Sequence, residues 1–86
     1  MIKKFIEDNG LDFTGSGSEL NGNCVILAGF ALYKGLTKYD FEEEINEHIP
    51  LTSEVENELM IVFNYAKKKN YGKAWETEDY KKKYIY

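Results

Sequence analysis

Gly15-Ser16-Gly17-Ser18-Glu19-Leu20-Asn21-Gly22-Asn23-Cys24 runs directly into Val25-Ile26-Leu27-Ala28-Gly29-Phe30-Ala31-Leu32-Tyr33 and ends at Lys34-Gly35. The second half of this stretch has no polar face. A helix that is apolar all round must be enclosed by other elements. The pattern predicts a helix over about residues 24–34, with Asn23 as N-cap and Gly35 just past its end. Ala28, Gly29 and Ala31 lack bulk, so a neighbouring helix can come close. The first half has no periodicity, and its glycines and serines predict a long loop over residues 14–23. Such a loop in a small domain points to binding or mobility.

The rest of the chain supplies helices to surround that segment. Ile2, Phe5, Ile6 and Asn9 share one face of a predicted helix over residues 2–9, which Gly10 stops. Leu11 and Phe13 alternate with polar residues, as in a short extended segment. Thr37 and Asp40 form a capping-box pair ahead of Phe41, Ile45 and Ile49, and Pro50 marks the end of that helix. Ser53 and Glu56 predict a second capping box. Val55, Leu59, Val62, Phe63 and Ala66 then keep helical spacing. Glu54, Glu56 and Glu58 at its start and Lys67, Lys68 and Lys69 at its end both suit the helix dipole. Thr77 is placed to cap a final turn or two carrying Tyr80 and Tyr84. The expected fold is all-α: four to five short helices, a helical bundle packed around the apolar segment.

At 86 residues the chain is read as one domain with a narrow stability margin. A hydrophobic content of 43% and an aromatic content of 15% place it among globular rather than disordered chains. One cysteine excludes an internal disulfide and any multi-cysteine zinc site, and it fits a reducing cytosol. The opening residues, Met1 to Asp8, turn charged before the apolar run of a signal peptide develops. No apolar run approaches the ~20 residues of a membrane-spanning helix. The expectation is a soluble, cytoplasmic protein with no membrane contact, either a monomer or a homodimer that covers the apolar helix with a second copy.

Charge is distributed unevenly. Asp40 to Glu58 holds eight acidic residues and no lysine, whereas Lys67 to Tyr86 holds seven lysines against three acids. Arginine is absent. Arginine is the commonest bidentate reader of guanine, so its absence argues against sequence-specific DNA reading.

Four constellations bear on function. Cys24, placed at the first turn of a helix, would have its pKa lowered by the dipole. The signatures that surround catalytic cysteines are missing, however, and His48 is the only histidine. A small buried residue is the plainer reading, and no catalytic residue is assigned. The Gly/Ser loop lacks the Gly-Lys-Ser/Thr ending of a phosphate-binding loop, and Glu19 adds a negative charge there. Ser16, Ser18, Glu19 and Asn21 are therefore read as protein-binding rather than nucleotide-binding. Asp40, Glu42, Glu43, Glu44 and Glu47 give one helix an acidic surface. Antiparallel packing of the last two predicted helices would add Glu54, Glu56 and Glu58 to it. No spacing matches a calcium loop, so neither a metal nor a cofactor is expected. A negative surface of this kind can occupy a basic, nucleic-acid-binding groove on another protein. Last, Tyr71, Lys73, Trp75, Tyr80 and Tyr84 have the lysine-aromatic mix of single-strand binders and of protein interfaces. The net charge of −4 argues against direct nucleic-acid binding by the chain as a whole.

In size, acidity, helical content and lack of a catalytic motif, the whole chain resembles small phage-encoded inhibitors such as the anti-CRISPR proteins. The resemblance is one of general character, carried by no residue motif, and no functional residue is transferred through it. It implies a non-enzymatic inhibitor in a bacterial host's cytoplasm. Such a protein binds a larger protein or nucleoprotein complex, such as a CRISPR effector, and blocks its nucleic-acid binding or its activation. The alternative reading is a small nucleic-acid-associated regulator that uses the Lys/Tyr tail.

Overall fold

Leu20, Cys24, Leu27, Ala28 and Ala31 recur at helical spacing, and all five are buried in the core. Their periodicity runs back past Asn23, and so does the helix. The computed structural model describes residues 1–69, which form α1 (Ile2–Asn9), α2 (Gly17–Tyr33), α3 (Lys38–His48) and α4 (Ser53–Lys69). The fold is all-helical, with no strand among the described residues. The final turn expected around Tyr80 and Tyr84 lies outside them.

The early start of α2 corrects the expected loop. Gly17, Gly22 and the serines are weak helix formers, each less favourable than alanine by up to ~1 kcal/mol. Burying Leu20, only 2% exposed, in the shared core offsets that deficit. Ser16 occupies the N-cap position with extended backbone but makes no side-chain capping bond. Asn23 is not a cap at all. It sits inside the helix, and its amide donates to the Asp12 carbonyl at 2.7 Å. Burial on α2 extends to Ile26 and Gly29 on the opposite side, as the lack of a polar face demands.

The glycine stops hold. Gly10 and Gly35 take left-handed φ values of 61° and 80°, which a residue with a Cβ rarely adopts. After α2, Gly35 donates to the Leu32 carbonyl and Leu36 to that of Ala31, both at 3.0 Å, closing a Schellman motif. Gly10 and Leu11 repeat the motif at α1, donating to Glu7 and Ile6.

The Thr37 capping box forms in full, with the Asp40 N–H donating to Thr37 Oγ1 at 3.1 Å and the Thr37 N–H donating to the Asp40 carboxylate at 3.4 Å. The start of α4 differs from expectation by one residue. Ser53 is already helical. Thr52 caps instead, accepting from the Val55 N–H at 3.2 Å through Oγ1 and from the Glu56 N–H at 2.9 Å through its carbonyl. With Thr52 as cap, Val55 occupies the third helical position, and no reciprocal carboxylate bond is available there.

α2 packs most extensively on α4, and α1 bridges α3 and α2. Ala28, Ala31 and Ala66 are fully buried and bring little bulk between the helices. Direct backbone contact between α3 and α4 is sparse. Phe41 and Phe63, both fully buried, link those two helices by stacking with ring centroids 4.6 Å apart.

The assignment of the cap is testable. Thr52→Ala should destabilise the protein by ~1 kcal/mol in chemical denaturation, whereas Ser53→Ala should change it by less than ~0.5 kcal/mol. The reverse order would return the cap to Ser53.

Candidate functional site

Phe41 and Ile45 are the buried positions of α3, and they fix which flank faces outward. Asp40, Glu43, Glu44 and Glu47 are spaced at i, i+3, i+4 and i+7, so they fall on one such flank. Together with Leu36 they line an open groove of about 230 Å³. Glu42 does not line it.

Two of these carboxylates already have structural work. Asp40 closes the capping box. Glu44 accepts the backbone N–H of Ile2 at 3.0 Å and lies 3.1 Å from the amino group of Met1, tying α1 to α3. Burial alone would raise the Glu44 pKa. The Ile2 N–H, the amino group and the nearby His48 outweigh that burial and hold it below the ordinary glutamate value. Glu43 and Glu47 stay exposed, and Glu47 Oε2 lies 3.9 Å from His48 Nε2. Among the described residues, no lysine lines the groove.

Glu58 does not join this surface as expected, and Glu54 and Glu56 are not among the residues that line the groove. Glu58 faces α2, where its carboxylate accepts from the Asn21 amide at 2.7 Å. The expectation assumed that α4 packs chiefly on α3, but its main partner is α2.

The expected binding loop is also rearranged. Ser18, Glu19 and Asn21 are helical residues of α2, and only Ser16 stays outside. What remains, residues 10–16, is tied down. The Thr14 N–H and hydroxyl donate to Asp12 Oδ1 at 2.9 and 2.6 Å, and Phe13 is buried in the core. The Thr14 hydroxyl, and then its N–H, hold the Asp12 carboxyl below the usual aspartate range. The signals for this turn were present in the sequence as Asp12-Phe13-Thr14, a side-chain-capped turn, and as Ser16-Gly17-Ser18-Glu19, a helix-start pattern.

Cys24 is neither at a helix start nor accessible. It lies mid-helix with no exposed surface, where burial first, and then the negative charge of Glu58, push its thiol up to about 12. The helix-start argument for an activated thiolate therefore fails, because the orphan N–H groups lie two turns earlier.

One surface escaped the sequence reading. Ile6, Leu11, Phe13, Ile49 and Pro50, together with Asp12, Thr14 and His48, line a mainly apolar cleft of about 180 Å³. Among the described residues, no group of three or more His, Cys, Asp or Glu side chains is placed to hold a metal ion, and no helix is long and apolar enough to cross a membrane. Tyr71, Lys73, Trp75, Tyr80 and Tyr84 lie outside the described residues.

Comparison with known proteins finds no matching family model, no matching curated protein and no matching solved structure.

Two consequences follow for measurement. At neutral pH, Cys24 should react with an aromatic disulfide reagent orders of magnitude more slowly in the native protein than in denaturant; equal rates would contradict its burial. Glu44→Gln should cost ~1–2 kcal/mol at pH 7. Because the folded Glu44 pKa is lowered, its contribution is complete above the ordinary value of ~4.3 and disappears as pH falls through the folded value. Denaturation curves of the two proteins should therefore converge once the pH has fallen through that lowered value.

Proposed function

We propose that this chain is a non-enzymatic protein-binding inhibitor of the phage anti-defence kind. It binds a larger nucleic-acid-handling protein or nucleoprotein complex and blocks nucleic-acid binding or activation. The observation that carries this reading is the lysine-free groove on α3 where four carboxylates converge. A concentrated negative surface attracts the basic channels that such effectors offer to phosphates, and it accelerates the encounter. The surrounding helices give it a rigid base. In this reading α2 is the central helix around which the others are arranged, supported by its seven buried residues.

The structure divides the acidic residues into two sets. Asp40 and Glu44 hold the fold, so in this reading Glu43 and Glu47 are left to meet a partner, and Glu42 lies outside the groove. A tagged protein incubated with nuclease-treated host lysate should retain a defined protein partner. Glu43→Lys/Glu47→Lys should weaken that binding by at least ~100-fold while keeping the wild-type circular dichroism spectrum. Glu54→Lys/Glu56→Lys, on α4, should have a much smaller effect. The wild-type interaction should also weaken as salt is raised. Unchanged capture by the α3 double variant would sink the acidic-face reading. Retention that disappears on nuclease treatment would favour the regulator that uses the Lys/Tyr tail.

A further inference from the structure

The apolar cleft and the acidic groove are neighbours. Glu47 lines the groove, His48 lines the cleft, and their side chains approach to 3.9 Å. The cleft's apolar lining is Ile6, Leu11, Phe13, Ile49 and Pro50. Asp12, kept ionised by the Thr14 turn, also lines the cleft, and among the described residues no lysine lines either depression. Size restricts the occupant. At about 180 Å³ the cleft is smaller than the ~300–1,000 Å³ typical of cofactor and drug sites. An apolar cavity of ~150 Å³ is enough for one benzene ring.

We infer that this cleft is an anchor pocket for one aromatic or large aliphatic side chain from a basic segment of a protein partner. The ring is desolvated between Leu11 and Pro50. The flanking cationic residues of the same segment meet Asp12 on one side and Glu47 and Glu43 on the other. Such an apolar anchor inside a charged surround is the usual arrangement of an interface hot spot. Charge complementarity selects the occupant: the depressions present carboxylates, so an acidic segment is repelled. This inference rests on the protein-binding reading above and adds the side chain that the partner inserts.

The cleft is assembled by devices already described. The Schellman motif at Gly10 turns Leu11 back toward Ile6. The Asp12–Thr14 turn, held by Asn23, fixes the lining residues that follow Leu11. Pro50 fixes the chain after α3. Little ordering is left to occur on binding, which favours affinity.

The test uses three capped tripeptides, acetyl-Lys-Phe-Lys-amide, acetyl-Glu-Phe-Glu-amide and acetyl-Lys-Gly-Lys-amide, titrated into the ¹⁵N-labelled full chain. The first should give saturable shifts at the Leu11, Asp12, Thr14 and His48 amides, with a Kd of order 1 mM, as befits one anchor residue. The acidic peptide should bind at least ~10-fold more weakly, and the glycine peptide should leave those amides unmoved. Asp12→Asn keeps the turn's acceptor oxygen and should reduce the preference for the basic over the acidic peptide several-fold. Pro50→Trp should lay its own ring over the cleft and abolish the shifts; if it does not fold, the peptide series and Asp12→Asn decide alone. Shifts located elsewhere, equal binding of the basic and acidic peptides, or equal binding with and without the phenyl ring would each overturn the proposal. So would concentration-dependent shifts at these amides without peptide, accompanied by a dimer in sedimentation, which would assign the cleft to a second copy. The outcome is separable from that of the α3 charge reversal, because the peptides report on the cleft whether or not the lysate holds a partner.

Discussion

Burial of α2 is the constraint on which the rest of the molecule depends. Leu20, Cys24, Leu27, Ala28 and Ala31 must all leave water together, and α4 supplies most of the surface that removes them. Fully burying one such large side chain is worth ~1.5–3 kcal/mol. That demand draws residues 17–22, among them the weak helix formers Gly17, Ser18, Asn21 and Gly22, into the helix. The extension in turn shortens the preceding connection and pulls Asn23 and Phe13 into positions that pin it. A loop that composition alone would leave mobile becomes one wall of a defined cleft.

The same burial separates structural charge from available charge. α1 is short and needs tertiary anchoring. Glu44 provides part of that anchoring by receiving the Ile2 N–H, and Asp40 is bound to the start of its own helix. Five acidic residues that look equivalent along the chain are therefore unequal in space. Two stabilise the fold, two face a groove, and Glu42 stands apart. The chemistry of Cys24 is decided in the same way. Its thiol is held neutral by desolvation, because the helix that contains it starts seven residues earlier than expected.

Charge and shape then combine on one side of the molecule. The α3 groove offers carboxylates without compensating lysines, and the cleft beside it offers an apolar recess of aromatic size. Neither feature alone specifies a partner. Their adjacency gives the inhibitor reading a physical form: electrostatic attraction toward a basic surface, followed by insertion of one side chain. The two steps act on different quantities, the first mainly on association rate and the second mainly on residence time.

The sequence by itself determined what depends on neighbours in the chain. Local hydrogen bonding and steric freedom place the Gly10 and Gly35 stops, the Thr37–Asp40 capping box and the buried faces of α1, α3 and α4, and a reader needs only the spacing to find them. Residues 17–22 were misread because their local preference opposes the helix, and the energy that reverses it comes from Leu20 meeting side chains remote in sequence. The cap of α4 was misplaced for a local reason: the box pattern at Ser53 competed with a threonine one residue earlier. That Glu44 is engaged by α1, where Glu58 points, and the existence of the cleft were decided only by tertiary structure. Each is set by contacts between residues 30 to 40 or more positions apart, and a pattern read within a few turns carries no information about them.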